Sequence, residues 1–97
     1  MNVARHLVFR GRVQGVGFRA FVEDAATRAG LQGWVRNLRV GTVEMVLSGN
    51  AKTIDAVIEA CRQGPQLSLV ASIDQREAGA DELSLRGNEA FAVLPTV

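Results

Sequence analysis

The chain of 97 residues is poor in the groups that build metal sites and disulfides, because it has one cysteine and one histidine. Cys61 cannot form an internal disulfide, and together with His6 it cannot supply the four ligands of a structural zinc site. No apolar run approaches the ~18 residues that a membrane span needs, and the amino terminus shows no export signal. We therefore expect a cytoplasmic protein with no membrane segment, no disulfide and no structural zinc site.

Length and composition predict a single domain over residues 1–97, since typical domains hold ~100 to 150 residues. Hydrophobic residues make up 47% of the chain, which is enough to bury a core. Residues 1–40 contain seven arginines against two acids, so an anion is expected to bind in this half. The net charge of +1 is low for a protein that follows a nucleic-acid backbone, and we expect no nucleic-acid partner.

Alternating apolar and polar residues predict strands, and apolar residues at helical spacing predict two helices. The predicted strands cover residues 3–13, 31–37, 43–48, 67–73 and, as a short fifth strand, 90–94. In the fourth strand the odd-numbered residues from Leu67 to Ile73 are predicted to face the core. One helix begins at Phe18 and ends at a Gly30 cap, and the other follows Asn50 and ends at Gly64. Residues 78–88 are predicted to form a polar loop.

The order βαββαβ is that of the ferredoxin-like split βαβ sandwich, an α+β fold. The connection of residues 38–42 is so short that it can join only antiparallel neighbours. This fold places both helices on one face of an antiparallel sheet.

A glycine-rich segment, residues 11–19, connects the first predicted strand to the first helix and reads Gly-Arg-Val-Gln-Gly-Val-Gly-Phe-Arg. The first N–H groups of a helix have no intrahelical partner, and its dipole favours an anion there. If Gln14 to Phe18 curl into a concave turn, their N–H groups converge on a group of phosphate size. Arg19 lies in the first helical turn, where its guanidinium could bind two phosphate oxygens.

Other interpretations of the glycine-rich segment, and of Cys61 and His6, were compared with anion binding. Residues 15–20 match a dinucleotide-binding pattern, but a hairpin follows where that fold needs parallel strands. A Walker loop is excluded because the sole lysine, Lys52, lies elsewhere. Arg19 could instead pair with Glu23 four residues on. Cys61 is predicted to be a buried apolar residue rather than a nucleophile, and His6 to be a solvated strand residue.

At these residues the chain resembles the acylphosphatases. Their first motif, Gly-x-Val-x-Gly-Val-x-Phe-Arg, matches residues 11–19 without a difference. A second motif, Gly-Trp-Val-x-Asn followed by Gly-x-Val and a later glycine, appears at residues 33–37, 41–43 and 49. Val40 precedes the glycine of the hairpin, where polar residues are frequent in the family. The resemblance covers nearly the whole chain.

The resemblance implies hydrolysis of the carboxyl-phosphate bond of small acyl phosphates, without metal or cofactor. It identifies Arg19 as the phosphate-binding arginine and Asn37 as the residue that orients the attacking water. The phosphate-binding N–H groups would belong to Gln14, Gly15, Val16, Gly17 and Phe18. We expect a monomer that releases inorganic phosphate as product and is inhibited by it.

Three alternatives stay open at this stage. A ferredoxin-like domain could be a non-catalytic anion-binding or regulatory module. It could bind RNA on its sheet, although this needs two or three exposed aromatics and Trp34 is the one candidate. It could also be the first part of a larger maturation enzyme. A separate acylphosphatase is the interpretation that we favour.

Overall fold

The computed structural model describes residues 1–97 as a five-stranded sheet with two long helices and one short one. The strands are β1 (Asn2–Arg12), β2 (Gln32–Asn37), β3 (Val43–Asn50), β4 (Leu69–Glu77) and β5 (Phe91–Val93). The helices are α1 (Phe18–Arg28), α2 (Ala51–Gln63) and α3 (Ala80–Leu83), and a 3-10 turn at Ser84–Arg86 follows α3. No helix is both long and apolar enough to span a bilayer.

The strand order across the sheet is β4-β1-β3-β2-β5. The first four strands pair antiparallel, as the predicted ferredoxin-like fold requires. The short fifth strand is also present, but β5 pairs with β2 in parallel, so the sheet is mixed rather than antiparallel throughout. β4 runs opposite to β2, and the chain reverses between β4 and β5, so β5 runs in the same direction as β2.

One face of the sheet packs against α1 and α2, and sixteen buried side chains fill the space between them. Helix α2 buries four residues at helical spacing, which are Ile54, Val57, Ile58 and Cys61. Its start is fixed by Asn50, whose side-chain oxygen accepts hydrogen bonds from the N–H groups of Lys52 and Thr53. Each buried aliphatic side chain contributes ~1.5 to 3 kcal/mol to this packing.

The predicted orientation of the fourth strand is wrong at its first residues. Leu67 and Leu69 are 68% and 70% exposed, and it is Val70 and Ile73 that pack against the core. Leu67 lies in a turn before β4 begins, and Leu69 faces outward because of a β-bulge, at which Arg10 pairs with Ser72 while Gly11 pairs with Val70. The extra residue shifts the inward-facing positions of β4 by one.

Gly11 permits the close approach of β1 and β4 at this bulge. Its φ is 124°, and a Cβ atom on it would lie 2.2 Å from the carbonyl oxygen of Leu69. A larger residue could not occupy this position without moving β4. The glycine that begins the glycine-rich segment therefore has a packing role.

The second face of the sheet is partly covered by residues 78–86, which were predicted to belong to a polar loop. They form α3 and the 3-10 turn, and they bury Trp34 to 1% exposure. The Nε1 group of Trp34 donates a hydrogen bond of 2.6 Å to the backbone oxygen of Glu82. Trp34 is therefore not an exposed aromatic, and the sheet lacks the stacking surface that RNA binding needs.

His6 also lies on this second face and was wrongly predicted to be solvated. It is 8% exposed, and its Nε2 atom lies 2.7 Å from a carboxylate oxygen of Glu44, whose other oxygen accepts from Arg36. Burial raises the pKa of Glu44, but hydrogen bonds from His6 and Arg36 outweigh it and hold this pKa below its ordinary value. The three side chains form one structural polar network.

Candidate functional site

A cavity of about 220 Å³ lies at the connection between β1 and α1, at the end of the molecule that also carries the turn between β2 and β3. It is lined by Val13, Gln14, Gly15, Gly17, Phe18, Arg19, Ala20 and Asn37. The structure thus brings together nearly all the residues expected to form the site. Val16 is the exception, because its side chain packs against the core instead of lining the cavity.

The turn of residues 14–17, named here the glycine loop, leaves its N–H groups unpaired. None of them donates a backbone hydrogen bond. Gly15 and Gly17 have φ values of 72° and 80°, a conformation that other residues rarely adopt. No side chain caps the amino terminus of α1, and its first turn contains no acid. The positive end of the helix dipole therefore faces the cavity without a neutralising group.

The side chain of Gln14 connects the glycine loop to the turn between β2 and β3. Its Nε2 group donates hydrogen bonds of 2.7 and 2.8 Å to the backbone oxygens of Leu38 and Thr42. Sequence reasoning assigned only the main-chain N–H of Gln14 to the site and missed this connection. Since the two turns are distant in sequence, no local pattern could have indicated it.

Arg19 is partly buried at the start of α1 and forms no salt bridge and no side-chain hydrogen bond. The alternative that it pairs with Glu23 is therefore not realised. Its guanidinium remains available to an anion in the cavity.

Asn37, the last residue of β2, contributes the only other polar side chain that was expected at the site. Its Oδ1 atom is buried and has no hydrogen-bond partner. The neighbouring turn is closed by main-chain bonds instead, from the N–H of Leu38 to the oxygen of Thr42 and from Gly41 to Leu38. Asn37 therefore does not cap the turn. The Oγ1 atom of Thr42 is also buried without a partner, and sequence reasoning did not single it out.

Other catalytic arrangements do not fit this structure. β2 and β3 form an antiparallel hairpin, so the parallel sheet of a dinucleotide-binding fold is absent. Cys61 is fully buried, and desolvation raises its pKa to about 12, which excludes a thiolate nucleophile at neutral pH. A larger cavity of about 440 Å³ lies beside the end of α1, but Glu23 and Glu89 line it and no cation does.

Comparison with known proteins agrees with the geometry. A model of the acylphosphatase family matches residues 5–91. An acylphosphatase of Bradyrhizobium diazoefficiens is 52% identical over 92 residues, which are 94% of this chain and 93% of the relative. One of Rhodopseudomonas palustris is 44% identical over 97 residues, covering 99% and 98% of the two chains.

A solved structure extends the agreement to the fold. The crystal structure of acylphosphatase from Bacillus subtilis superposes with a TM-score of 0.83 and 34% identity, covering 97% of this chain and 99% of the other. The family match and the relatives together show that the chain belongs to the acylphosphatase family and is an enzyme that hydrolyses acyl phosphates.

Proposed function

We propose that the cavity holds the phosphoryl group of the acyl phosphate and that the glycine loop, Arg19 and Asn37 carry out the reaction. The observation that supports this most is that the glycine loop, Arg19 and Asn37 border one cavity while their polar groups lack partners in the protein. The N–H groups of residues 14–17 donate no backbone hydrogen bond, Arg19 forms no salt bridge, and the Oδ1 atom of Asn37 accepts no hydrogen bond.

In this proposal, the N–H groups of residues 14–18 and Arg19 bind the phosphoryl oxygens. N–H groups at a helix start bind anions through direct hydrogen bonds and through the helix dipole. Arg19 adds a bidentate contact whose charge persists at any working pH. Because negative charge is spread over the three equatorial oxygens in the transition state, the same contacts stabilise it.

Asn37 acts on the nucleophile. Its side-chain amide forms a hydrogen bond with a water molecule and holds it in line with the bond to be broken. The water oxygen bonds to phosphorus while the bond between phosphorus and the carboxyl oxygen breaks. The carboxylate leaves as an anion and needs no acid, and the water's proton passes to a phosphoryl oxygen. This route needs no metal, histidine or cysteine.

The test compares phosphate release from benzoyl phosphate and from p-nitrophenyl phosphate by the purified protein. Turnover of the acyl phosphate alone is expected, because the site offers no acid for a poorer leaving group. Equal turnover of both substrates, or of neither, contradicts the proposal.

Residues 1–97 act as one catalytic domain and as a monomer in this proposal, and inorganic phosphate is a competitive inhibitor as well as the product. Light scattering checks the monomer, and inhibition kinetics check the phosphate. The cytoplasmic location stays a prediction from the sequence.

A further inference from the structure

The cavity is bordered by two segments that lie far apart in the chain. The glycine loop borders it on one side, and Asn37, which directly precedes the turn of residues 38–42, borders it on the other. β1 leads into the loop and β2 leads into the turn, and β3 lies between these two strands in the sheet. The distance between the loop and Asn37 therefore depends on contacts that cross the width of one strand.

The side chain of Gln14 forms the two hydrogen bonds that connect these segments. Its Nε2 group donates to the backbone oxygens of Leu38 and Thr42, at 2.7 and 2.8 Å. No other hydrogen bond joins residues 14–17 to residues 37–42. One planar amide group thus binds both ends of the turn, and it belongs to the first residue of the glycine loop.

The turn is held by hydrogen bonds of its own, whereas the glycine loop has few. Two main-chain bonds of 2.9 Å close the turn of residues 38–42 internally. In the loop, by contrast, the N–H groups of residues 14–17 donate no backbone hydrogen bond, and Gly15 and Gly17 give the backbone unusual conformational freedom. The side chain of Gln14 is therefore the hydrogen-bonded restraint that fixes the loop relative to the turn.

We propose that Gln14 is a positioning residue that sets the distance between the bound phosphoryl group and the water held by Asn37. The inference rests on the proposed function of the cavity. The loop holds the phosphoryl group and Asn37 holds the water, so a shift of the loop relative to the turn moves the water out of line with the bond to be broken. Gln14 acts on the reaction through the position of the loop, not through a bond from its side chain to the substrate.

Replacing Gln14 with methionine keeps the length of the side chain and removes both donors. The two acceptors keep their backbone donors, because the N–H groups of Gly41 and Leu38 remain bonded to the oxygens of Leu38 and Thr42. The replacement therefore leaves no acceptor without a partner, and the variant is expected to fold. Misplacement by 1 Å can cost about 10²-fold in rate, so kcat is expected to fall about 10- to 100-fold.

The experiment is a double-mutant cycle that measures turnover of benzoyl phosphate by the parent, Gln14→Met, Asn37→Ala and the double variant. In the Asn37→Ala background, Gln14→Met is expected to lower kcat less than about threefold further, because no oriented water is left to misplace. The inhibition constant for inorganic phosphate is expected to rise by a smaller factor than kcat falls, since Asn37 takes no part in phosphate binding.

The matched control is Gln63→Met, the same exchange at the exposed last residue of α2, whose side chain forms no hydrogen bond. Its kcat is expected to equal that of the parent. If Trp34 fluorescence shows that Gln14→Met does not fold, Gln14→Asn replaces it in the cycle. Asparagine keeps the amide but is shorter by one bond of about 1.5 Å, so it does not bind both oxygens of the turn.

Three results overturn the inference. The first is full kcat in the Gln14 variant. The second is an equal fall of kcat in both backgrounds, because Gln14 would then act independently of Asn37. The third is a rise of the phosphate inhibition constant as large as the fall of kcat, because the side chain would then only shape the phosphate-binding loop. If the parent does not hydrolyse benzoyl phosphate, the proposed function fails, and this inference fails with it.

Discussion

Replacing Asn37 with alanine distinguishes a residue that orients water from one that supports the fold. Loss of one oriented contact in the transition state typically costs about 2.7 to 4 kcal/mol, so turnover is expected to fall about 10² to 10³-fold. Phosphate binding is expected to persist, because a neutral amide contributes little to holding a dianion. The inhibition constant for inorganic phosphate should therefore change less than about threefold.

The effect on stability follows from the hydrogen-bond partners of Asn37. Its Oδ1 atom has no hydrogen-bond partner within the protein. Replacement by alanine therefore removes no hydrogen bond of the folded chain, and the free energy of unfolding is expected to stay close to that of the parent. The urea midpoint of the variant is expected to match that of the parent.

The assay combines benzoyl phosphate turnover, phosphate inhibition and urea unfolding on the same preparation. Fluorescence of the single tryptophan, Trp34, reports unfolding, because this side chain is 1% exposed. The matched control is Asn50→Ala, which removes the cap of α2 and should lower the stability by ~1 kcal/mol while turnover persists. If Asn37→Ala lowered the urea midpoint and kept full turnover, the water-orienting role would be refuted.

Three further predictions concern Arg19, metal ions and Glu44. Arg19→Ala is expected to weaken phosphate inhibition about 10 to 100-fold, since a charge-assisted hydrogen bond contributes about 1.5 to 3 kcal/mol; a folded variant that binds phosphate like the parent contradicts this. Exhaustive chelation is expected to leave turnover unchanged, because no three or more metal-ligating side chains cluster in the structure; recovery of lost activity with zinc or magnesium contradicts this. Glu44, whose folded pKa is depressed, is expected to stabilise the fold fully above its unfolded pKa near 4.5 and to lose this contribution as the pH falls through the lower folded value. A Glu44→Gln variant should then show a weaker acid dependence of the urea midpoint, and an identical dependence contradicts the assignment.

The cavity could be predicted from the sequence because most of its residues are neighbours in the chain. A strand, two glycines and a helix start occur within residues 11–19, and local geometry alone directs their N–H groups to one side. The assignment of Asn37 to the site came from the family motif. The hairpin that carries Asn37 was predicted from alternating apolar and polar residues. The connection through Gln14 could not be predicted, since it depends on how two distant turns meet.

The wrong predictions for the fourth strand, Trp34 and His6 share a physical cause. The periodicity of apolar residues describes one segment and does not show which other segments pack against it. The alternation of Leu67 and Leu69 looks like that of a half-buried strand, but the bulge opposite Gly11 changes which residues of β4 face inward. Trp34 and His6 occupy sheet positions that alternation marks as outward-facing. Whether such positions meet water depends on what crosses that face, and here residues 78–86 and Glu44 cover them.

The central position of β1 has a consequence for the order in which this protein folds. β1 emerges first during synthesis, yet it pairs on one side with β3 and on the other with β4, which ends at Glu77. Pairing between such distant segments requires a large loop to close, and the entropy cost of closure comes before the contacts of the paired strands form. We therefore expect this domain to fold in the slower range of small domains. The strand that leads into the glycine loop is thus secured on both sides only after most of the chain has left the ribosome, so partial chains are expected to lack activity.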